Sequence, residues 1–314
     1  MPNSVILPGS HSIFLAESIS KLTKIPSFRS KLVNFVNCEM KITLPEEINN
    51  YQKAIIVQST SIPANDSLME LLLTADTLKM ENISDITAII PYFGYARQDK
   101  QHLPRECVSV EMICRLLANV GINKVLTVDI HNQNVLEKVN LEIENLSAMP
   151  FLARQIYKDM GLNSETEKEI TIASPDDGGI ARAELFAKNF YQNPKNLELV
   201  SIKKQRHLDK THYCEAVELR GEIKDKKVIL IDDISTSGGT ILNALELCKV
   251  NGVREVSAVI IHADFAHSVC EKFENSDLIK VYTTNTIEKT VENLDYYKKV
   301  KVIDIAEIFV GRVG

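Results

Sequence analysis

Several features that would place a chain of this length in a familiar class are missing. No run of apolar residues approaches the roughly 20 that a membrane-spanning helix needs, so we expect no membrane span. The first ten residues lack the basic region and the long apolar stretch of a secretory signal peptide. The six cysteines form no Cys-x-x-Cys pair, and without an export signal we expect free thiols in a reducing cytoplasm.

Two nucleotide-binding fingerprints are also missing. The chain contains no Gly-x-x-x-x-Gly-Lys, which excludes the loop of nucleotide triphosphatases, and no Gly-x-Gly-x-x-Gly of a dinucleotide fold. The formal net charge of −6 argues against a nucleic-acid-binding surface. The remaining composition, 45% hydrophobic and 25% charged residues, is typical of a soluble globular protein.

What the sequence does contain is a regular alternation of predicted strands and helices. Strands are predicted at 33–36, 54–58, 86–91, 124–130, 170–173, 197–202, 228–231 and 256–261, and helices at 67–80, 109–120, 180–189 and from 241 onward. This alternation predicts an α/β fold with mostly parallel sheets flanked by helices. Since 314 residues exceed one ordinary core, we expect two domains, 1–147 and 148–314. The apolar run 302–310 is a candidate to pack back on the first domain.

A similarity between two segments of the chain supports two related domains. The pair of predicted strands that begin at Ala54 and Ile86 parallels the pair that begin at Val228 and Val256, each pair separated by a predicted helix. We interpret this as two similar α/β domains, of which only the second keeps acidic residues and glycines after its first strand. The alternative is that any two strand–helix–strand units look alike.

The stretch 228–240 carries the clearest functional pattern. Four aliphatic residues predict a strand buried on both faces, and Asp232 and Asp233 end it. A loop of small residues then opens a helix, and backbone amides at a helix N-terminus bind phosphate well. The carboxylates can hold sugar hydroxyls, directly or through a metal ion. The pattern therefore predicts a site for the phosphate ester of a polyol; the alternative is a tight turn whose aspartates cap the helix.

Four sequence blocks together carry a family resemblance. They are Pro91-Tyr-Phe-Gly-Tyr-Ala-Arg-Gln-Asp-Lys, Thr127-Val-Asp-Ile-His, Ser174-Pro-Asp-Asp-Gly-Gly and the stretch 228–240. In this order they resemble the ribose-phosphate pyrophosphokinase family over nearly the whole chain. The resemblance implies two phosphoribosyltransferase-like domains. It also implies Mg²⁺-dependent transfer of diphosphate from ATP to the C1 hydroxyl of ribose 5-phosphate, which releases AMP.

For ribose 5-phosphate, the resemblance places the sugar hydroxyls at Asp232 and Asp233. The 5-phosphate is expected at the loop that consists of Thr236, Ser237, Gly238, Gly239 and Thr240. Thr236 stands where bacterial and animal members usually carry aspartate. His131 and Asp176 match the family's magnesium ligands. Histidine is an unusual partner for a cation that prefers oxygen, so contact through water or to a phosphate is an alternative, as is a histidine that closes a strand.

For ATP, the resemblance implies contacts from two segments. The first is the polar stretch Arg97, Gln98 and Asp99, which in isolation would suggest a solvated loop. The second matches a hairpin of the family and contains Phe35, Asn37, Cys38 and Glu39. Cys38 replaces the usual glycine, and because a side chain disfavours positive φ we expect a different backbone conformation in this turn.

The segment 203–206 resembles a mobile basic loop of the family. There, Lys204 and Arg206 would stabilise the charge that develops on the transferring phosphates, and Arg206 would also lie near ribose 5-phosphate. A basic loop that is merely exposed is the alternative. The polar residues 207–213 suit a lid that excludes water.

Two other function classes remain open from the sequence. A type I phosphoribosyltransferase is disfavoured because it needs only one such domain and has no use for Arg97 and Gln98. A catalytically silent regulatory subunit is disfavoured because the chemical positions are retained. Family members assemble as dimers or hexamers with ATP sites completed across subunits, so the resemblance implies a homo-oligomer that binds neither nucleic acid nor membrane.

Overall fold

The computed structural model describes residues 3–101, 103–133, 140–206, 215–266, 268–291 and 296–313. The chain divides into two compact units. Unit 1 comprises Met1–Ser147, Asn285–Lys289 and Asp304–Gly314, and unit 2 comprises Ala148–Thr284 and Thr290–Ile303. Within the described ranges, no helix is both long enough and apolar enough to cross a membrane.

Unit 1 is built on a parallel sheet of five strands. These strands are β1 (Ser4–Pro8), β4 (Lys53–Val57), β5 (Asp85–Ile90), β6 (Lys124–Val128) and β7 (Glu142–Leu146), and this is also their order across the sheet. Its helices are α1 (Ile13–Thr23), α2 (Ala64–Met80) and α3 (Ser109–Asn119). A separate antiparallel hairpin pairs β2 (Lys31–Asn34) with β3 (Met40–Thr43).

The core of unit 1 follows from the apolar periodicity of its helices. On α3, the buried Val110, Ile113, Cys114 and Leu117 recur at intervals of three and four residues, which puts them on one face. That face packs in the same cluster as the aliphatic residues of β4 and β5. The sheet thus presents apolar side chains to the helices, as expected for strands without a solvated face.

The segment 285–289 is fastened to α1. The buried carboxylate of Glu288 accepts hydrogen bonds from the backbone N–H groups of Phe14 (3.1 Å) and Leu15 (2.6 Å). These donors belong to the first turn of α1, and no residue of α1's own N-terminus supplies a side-chain cap. Glu288, which is distant in sequence, therefore caps the N-terminus of α1.

Unit 2 is built on a seven-stranded sheet with one antiparallel edge. Its strands are β8 (Ile170–Ser174), β9 (Leu199–Arg206), β10 (Glu215–Arg220), β11 (Lys227–Ser235), β12 (Glu255–Ala263), β13 (Leu278–Thr284) and β14 (Val300–Ile303). They follow the order β10-β9-β8-β11-β12-β13-β14, and only β10 runs antiparallel to its neighbour. The helices are α4 (Met149–Asp159), α5 (Ile180–Phe190), α6 (Gly239–Val250) and α7 (Val269–Glu274). The short α8 (Glu288–Val291) begins in the segment of unit 1 that ends at Lys289 and ends in the segment of unit 2 that begins at Thr290. These sheets and helices confirm the predicted α/β fold.

Three predicted strand boundaries are wrong in ways that matter for the site. The strand predicted at 33–36 ends at Asn34, because the N–H of Phe35 bonds the carbonyl of Glu39 (2.8 Å) and closes a turn. Asp232 and Asp233 do not end β11, which stays in parallel register with β12 as far as Ser235. Strand β9 continues beyond Ile202 to Arg206, because β10 pairs with it there.

Candidate active site

The loop between β11 and α6 presents backbone N–H groups without acceptors among the described residues. The backbone N–H groups of Ser237, Gly238 and Thr240 have no acceptor in the described part of the chain, and that of Gly239 reaches only the Ser237 hydroxyl, at 3.4 Å. Gly238 adopts φ 76°, in the left-handed region that favours glycine. Together with the N-terminus of the 12-residue helix α6, these donors suit an anion such as a phosphate group.

Gly238 also permits close packing beneath this loop. A Cβ placed there would lie 3.1 Å from the ring of Phe273, which belongs to the unit 2 core. A side chain at this position would therefore push the loop away from the core as well as strain its backbone.

Two buried carboxylates stand immediately before the loop. Asp232 and Asp233 are each only 8% exposed. The N–H of Asp233 bonds Oδ1 of Asp232 (2.9 Å), and the N–H of Ile234 bonds Oδ1 of Asp233 (3.0 Å). Burial, first of all, and then the neighbouring charges of Asp233 and Asp176, raise the pKa of Asp232 to about 8. A carboxyl group whose ionised form is destabilised by burial, and which lies beside a loop suited to phosphate, is a candidate functional group.

Asp176 lies on the turn that follows β8, the strand next to β11. Its Oδ1 accepts the N–H of Gly179 (2.9 Å), so the side chain caps the short helical turn at 177–179. Gly179 allows a tight approach, since a Cβ there would lie 2.6 Å from the hydroxyl of Ser174. Asp176 is half-buried, and its charge acts on Asp232. The carboxyl ends of two adjacent strands thus bring these groups together, as expected for an α/β sheet.

Arg182 is a site residue that the sequence analysis missed. It lies in the first turn of α5, and its Nη2 is 3.0 Å from Oδ2 of Asp233. The first turn of a helix that directly follows a strand and its loop lies at the same sheet edge as the loop, so its position alone would have made Arg182 a candidate. Because Arg182 stands in an ordinary helical pattern, nothing in its immediate sequence marks it as different from a surface arginine.

In unit 1, the polar stretch after β5 and the turn after β6 lie together. Nδ2 of Asn132 donates to Oδ2 of Asp99 (2.5 Å), and the hydroxyl of Ser109 donates to Oε1 of Gln98 (2.5 Å). The hydrogen bond from Asn132, more than the nearby charges of Lys100 and His131, lowers the pKa of Asp99. Asp99 and His131 are therefore close neighbours, while the side chain of Arg97 is exposed.

The hairpin residues Phe35, Asn37, Cys38 and Glu39 are all exposed. The expected change of backbone conformation at Cys38 is wrong: Cys38 adopts φ 66°, the conformation that the usual glycine would favour. The turn is held by the N–H of Cys38 on the carbonyl of Phe35 (2.9 Å) and by the N–H of Glu39 on Oδ1 of Asn37 (3.3 Å). Hydrogen bonds within the hairpin thus keep the left-handed residue despite its side chain.

Lys204 and Arg206 are residues of β9. In the antiparallel ladder, Lys204 pairs with Val217 of β10 and Arg206 pairs with Glu215. The two residues therefore belong to a paired hairpin stem, where the sequence predicted a loop. The side chains of 203–206 and the predicted lid at 207–213 lie outside the described residues.

Cation ligands are sparse in the parts of the chain that the structure describes. There, no group of three or more histidine, cysteine or acidic side chains could hold a metal ion. Cys38, Cys107, Cys114, Cys248 and Cys270 are free thiols, as predicted, while Cys214 lies outside the described residues. Localisation in the cytoplasm stays a prediction.

Two family models match successive parts of the chain. A family model described as the N-terminal domain of ribose phosphate pyrophosphokinase matches residues 4–121, and a phosphoribosyl transferase domain model matches residues 139–299. The ribose-phosphate pyrophosphokinase of Mesorhizobium japonicum is 31% identical, and the match covers 96% of this chain and 93% of the relative. That of Campylobacter jejuni is 32% identical, with 97% and 93% covered.

A solved structure extends this likeness to three dimensions. The crystal structure of phosphoribosylpyrophosphate synthetase from Mycobacterium smegmatis superposes with a TM-score of 0.87 at 26% identity, and the match covers 99% of this chain and 97% of that one. The predicted pair of phosphoribosyltransferase-type domains is therefore confirmed. Because the matches extend over both units and nearly the whole length, the chain belongs to the ribose-phosphate pyrophosphokinase family of enzymes.

Proposed function

We propose that this enzyme transfers the diphosphate group of Mg-ATP to the C1 hydroxyl of ribose 5-phosphate, which yields 5-phosphoribosyl 1-pyrophosphate and AMP. The observation that carries the proposal is the juxtaposition, in unit 2, of unsatisfied backbone donors with two buried aspartates. Such a pair of features matches a substrate that has a phosphate at one end and hydroxyl groups at the other. Family membership supports the same reaction.

Unit 2 would bind ribose 5-phosphate. The donors at 237–240 and the N-terminus of α6 would hold the 5-phosphate, with the exposed hydroxyls of Thr236 and Ser237 beside it. Asp232 lies on β11 just before this loop and would accept hydrogen bonds from the sugar hydroxyls, with Asp233 next to it on the same strand. A buried carboxylate that accepts two such bonds discriminates strongly against a ligand without hydroxyl groups, because its desolvation would then go uncompensated.

Unit 1 would bind ATP. Arg97 and Gln98 follow β5, and the hydrogen bond from Ser109 fixes the amide of Gln98. The exposed hairpin with Phe35, Asn37 and Glu39 offers an aromatic ring, an amide and a carboxylate to a nucleotide. Arginine contributes a permanent charge and a planar fork of donors, which suits phosphate oxygens.

Lys204 and Arg206 would act on the transferring group. Attack of the C1 hydroxyl on the β-phosphorus breaks the bond between the β-phosphorus and the α,β-bridging oxygen, so AMP leaves with that oxygen and the hydroxyl proton goes to solvent. Negative charge develops on the phosphoryl oxygens, and two cationic side chains placed there stabilise the transition state more than the ground state. Their position on a two-stranded hairpin supplies a stiff stem for this function.

The residues present fit a magnesium ion. Mg²⁺ keeps several waters and is usually bound by one or two carboxylates together with substrate phosphates, so a cage of three protein ligands is not required. Asp176 is half-buried, engages Oδ1 with Gly179 and lies near Asp232, which gives an acidic, oxygen-rich surface. Asp176 would hold the ion in unit 2, and His131 stays the second ligand that the family resemblance implies, directly or through water. When bound, the ion would neutralise charge on the phosphate oxygens.

One assay tests the reaction. The purified enzyme is incubated with ATP, ribose 5-phosphate and Mg²⁺, and nucleotides are separated by chromatography; we expect AMP in proportion to phosphoribosyl pyrophosphate. ADP as the product would indicate an ordinary kinase, and no product would indicate a silent subunit. Asp232→Asn should lose ribose 5-phosphate turnover yet bind ATP, whereas Asp225→Asn, at an exposed position of the same unit, should behave as the unchanged protein.

We further propose a homo-oligomer, between dimer and hexamer, on the strength of family membership. Light scattering of the purified protein measures its mass directly. A mass equal to the 35.3 kDa chain at micromolar concentration would contradict this.

A further inference from the structure

The ion pair of Arg182 with Asp233 differs from the other salt bridges of unit 2 in its burial. The side chains are 17% and 12% exposed, with Nη2 and Oδ2 3.0 Å apart. A second pair on the same helix, Lys188 with Glu184, is 65% and 48% exposed with its charged atoms 3.8 Å apart. Exposed pairs of this second kind contribute little, whereas the loss of one partner from a buried pair leaves a charge without compensation.

Arg182 also joins two loops of the site. Its Nη1 lies 3.6 Å from the place where a Cβ of Gly179 would stand, so the guanidinium rests against the turn that carries Asp176. Through Asp233 the same guanidinium reaches β11. One side chain therefore contacts both of the adjacent strand ends that supply the acidic groups of unit 2.

The hydrogen bonds distinguish the two aspartates of β11. Oδ1 of Asp233 accepts the N–H of Ile234 and Oδ2 faces Arg182, so both of its oxygens have partners within unit 2. Oδ1 of Asp232 accepts the N–H of Asp233, and the two side chains also share a hydrogen bond, but no cation is paired with Asp232 among the described residues. Without Arg182, Asp233 would lose its cationic partner next to Asp232 and Asp176, and its side chain would no longer be held away from the sugar.

We propose that Arg182 is a positioning residue for the ribose 5-phosphate site: it anchors Asp233 and thereby leaves Asp232 as the carboxylate that binds the sugar hydroxyls. The inference rests on the proposed function, because it assigns a sugar to the acidic groups of unit 2. Arg182 acts through Asp233 and does not itself touch the substrate.

Direct binding measurements test this without dependence on turnover. Calorimetric titration of ribose 5-phosphate in the presence of Mg²⁺, and separately of ATP, is carried out on the full chain and on four variants: Arg182→Met, Arg182→Lys, Lys188→Met and Arg182→Met/Asp233→Asn. We expect Arg182→Met to weaken ribose 5-phosphate binding about 10-fold or more, with ATP binding within about twofold, because the lost charge lies in unit 2.

The other variants separate positioning from general stability. Arg182→Lys keeps the positive charge but lacks the planar set of guanidinium donors. Its affinity for ribose 5-phosphate should therefore lie between those of the unchanged protein and Arg182→Met. The double variant removes the repelling carboxylate with the arginine and should recover most of the binding that Arg182→Met loses. Lys188→Met removes a positive charge from the same helix and should bind like the unchanged protein. If Arg182→Met does not fold, Arg182→Lys and the double variant still carry the comparison.

Several results would overturn the inference. The first is that Arg182→Met binds ribose 5-phosphate as tightly as the unchanged protein. The second is that Arg182→Met weakens the binding of ribose 5-phosphate and of ATP equally. The third is that the double variant binds ribose 5-phosphate no more tightly than Arg182→Met. The failure of the proposed function is distinguishable: a protein that binds ribose 5-phosphate but forms no AMP disproves the reaction and leaves the role of Arg182 measurable. A protein that binds no ribose 5-phosphate overturns both.

Discussion

Replacing Asp232 by asparagine is expected to stabilise the ligand-free protein by an amount that grows as the pH rises. Asp232 is buried, and burial together with Asp233 and Asp176 raises its pKa from 3.8 to about 8. Between these two values the folded state binds more protons than the unfolded state, so unfolding becomes easier as pH increases. The contribution of Asp232 to stability is therefore complete below about pH 4 and is lost as the pH rises through 8. Asparagine does not titrate and avoids this loss.

The size of the effect follows from the pKa. Each pKa unit corresponds to about 1.4 kcal/mol, so the full rise corresponds to an upper bound of about 6 kcal/mol. Because Asp233 shares the titration, we expect a measured gain of about 2–3 kcal/mol in the free energy of unfolding at pH 8. In a unit of this size, that is a rise of about 5–10 °C in Tm. Asparagine can still accept the N–H of Asp233 through its own Oδ1, so the local geometry is retained.

Differential scanning calorimetry without nucleotide, sugar phosphate or Mg²⁺ at pH 5, 6, 7 and 8 measures the difference. Asp225→Asn is the control, since it removes an exposed carboxylate from the same unit. A difference in Tm that does not change with pH would refute the electrostatic reasoning. A variant that is less stable than the unchanged protein at pH 8 would do so more directly. The gain in stability should accompany the loss of ribose 5-phosphate turnover, as happens where a functional group is held at an energetic cost.

Three other predictions address the phosphate loop, the basic hairpin and the cap of α1. Gly238→Ala should weaken ribose 5-phosphate binding and lower stability by about 1–2 kcal/mol, because φ is 76° and the Phe273 ring lies 3.1 Å from the new Cβ; calorimetry and urea unfolding measure both effects. Lys204→Ala should lower kcat on the order of 10²-fold with the KM for ATP little changed, and a kcat within a few-fold of the unchanged enzyme would contradict a transition-state role. Glu288→Ala should destabilise the protein by about 1–3 kcal/mol in urea unfolding, since two backbone donors of α1 lose their acceptor; Glu307→Ala, at an exposed position of the same unit, is the control.

The segments that local pattern determines were predictable from the sequence. Val228 to Ile231 form a strand because four consecutive aliphatic residues can be buried on both faces, and the loop that follows opens a helix whose Ile241, Ala244, Leu245 and Cys248 face the core. The order of the four motif blocks was enough to assign the family. Each of these signals lies within a short stretch of neighbouring residues.

Only the tertiary structure determined the strand ends and site residues that depend on partners distant in sequence. Pairing with β12 extends β11 through Asp232 and Asp233, and pairing with β10 makes a strand of the segment that holds Lys204. Likewise, Arg182 becomes part of the site only because the fold brings the first turn of α5 against β11. The physical reason is that an unpaired backbone group or a buried charge is costly, and the partner that removes this cost is chosen by the packing of the whole unit, which no stretch of neighbouring residues records.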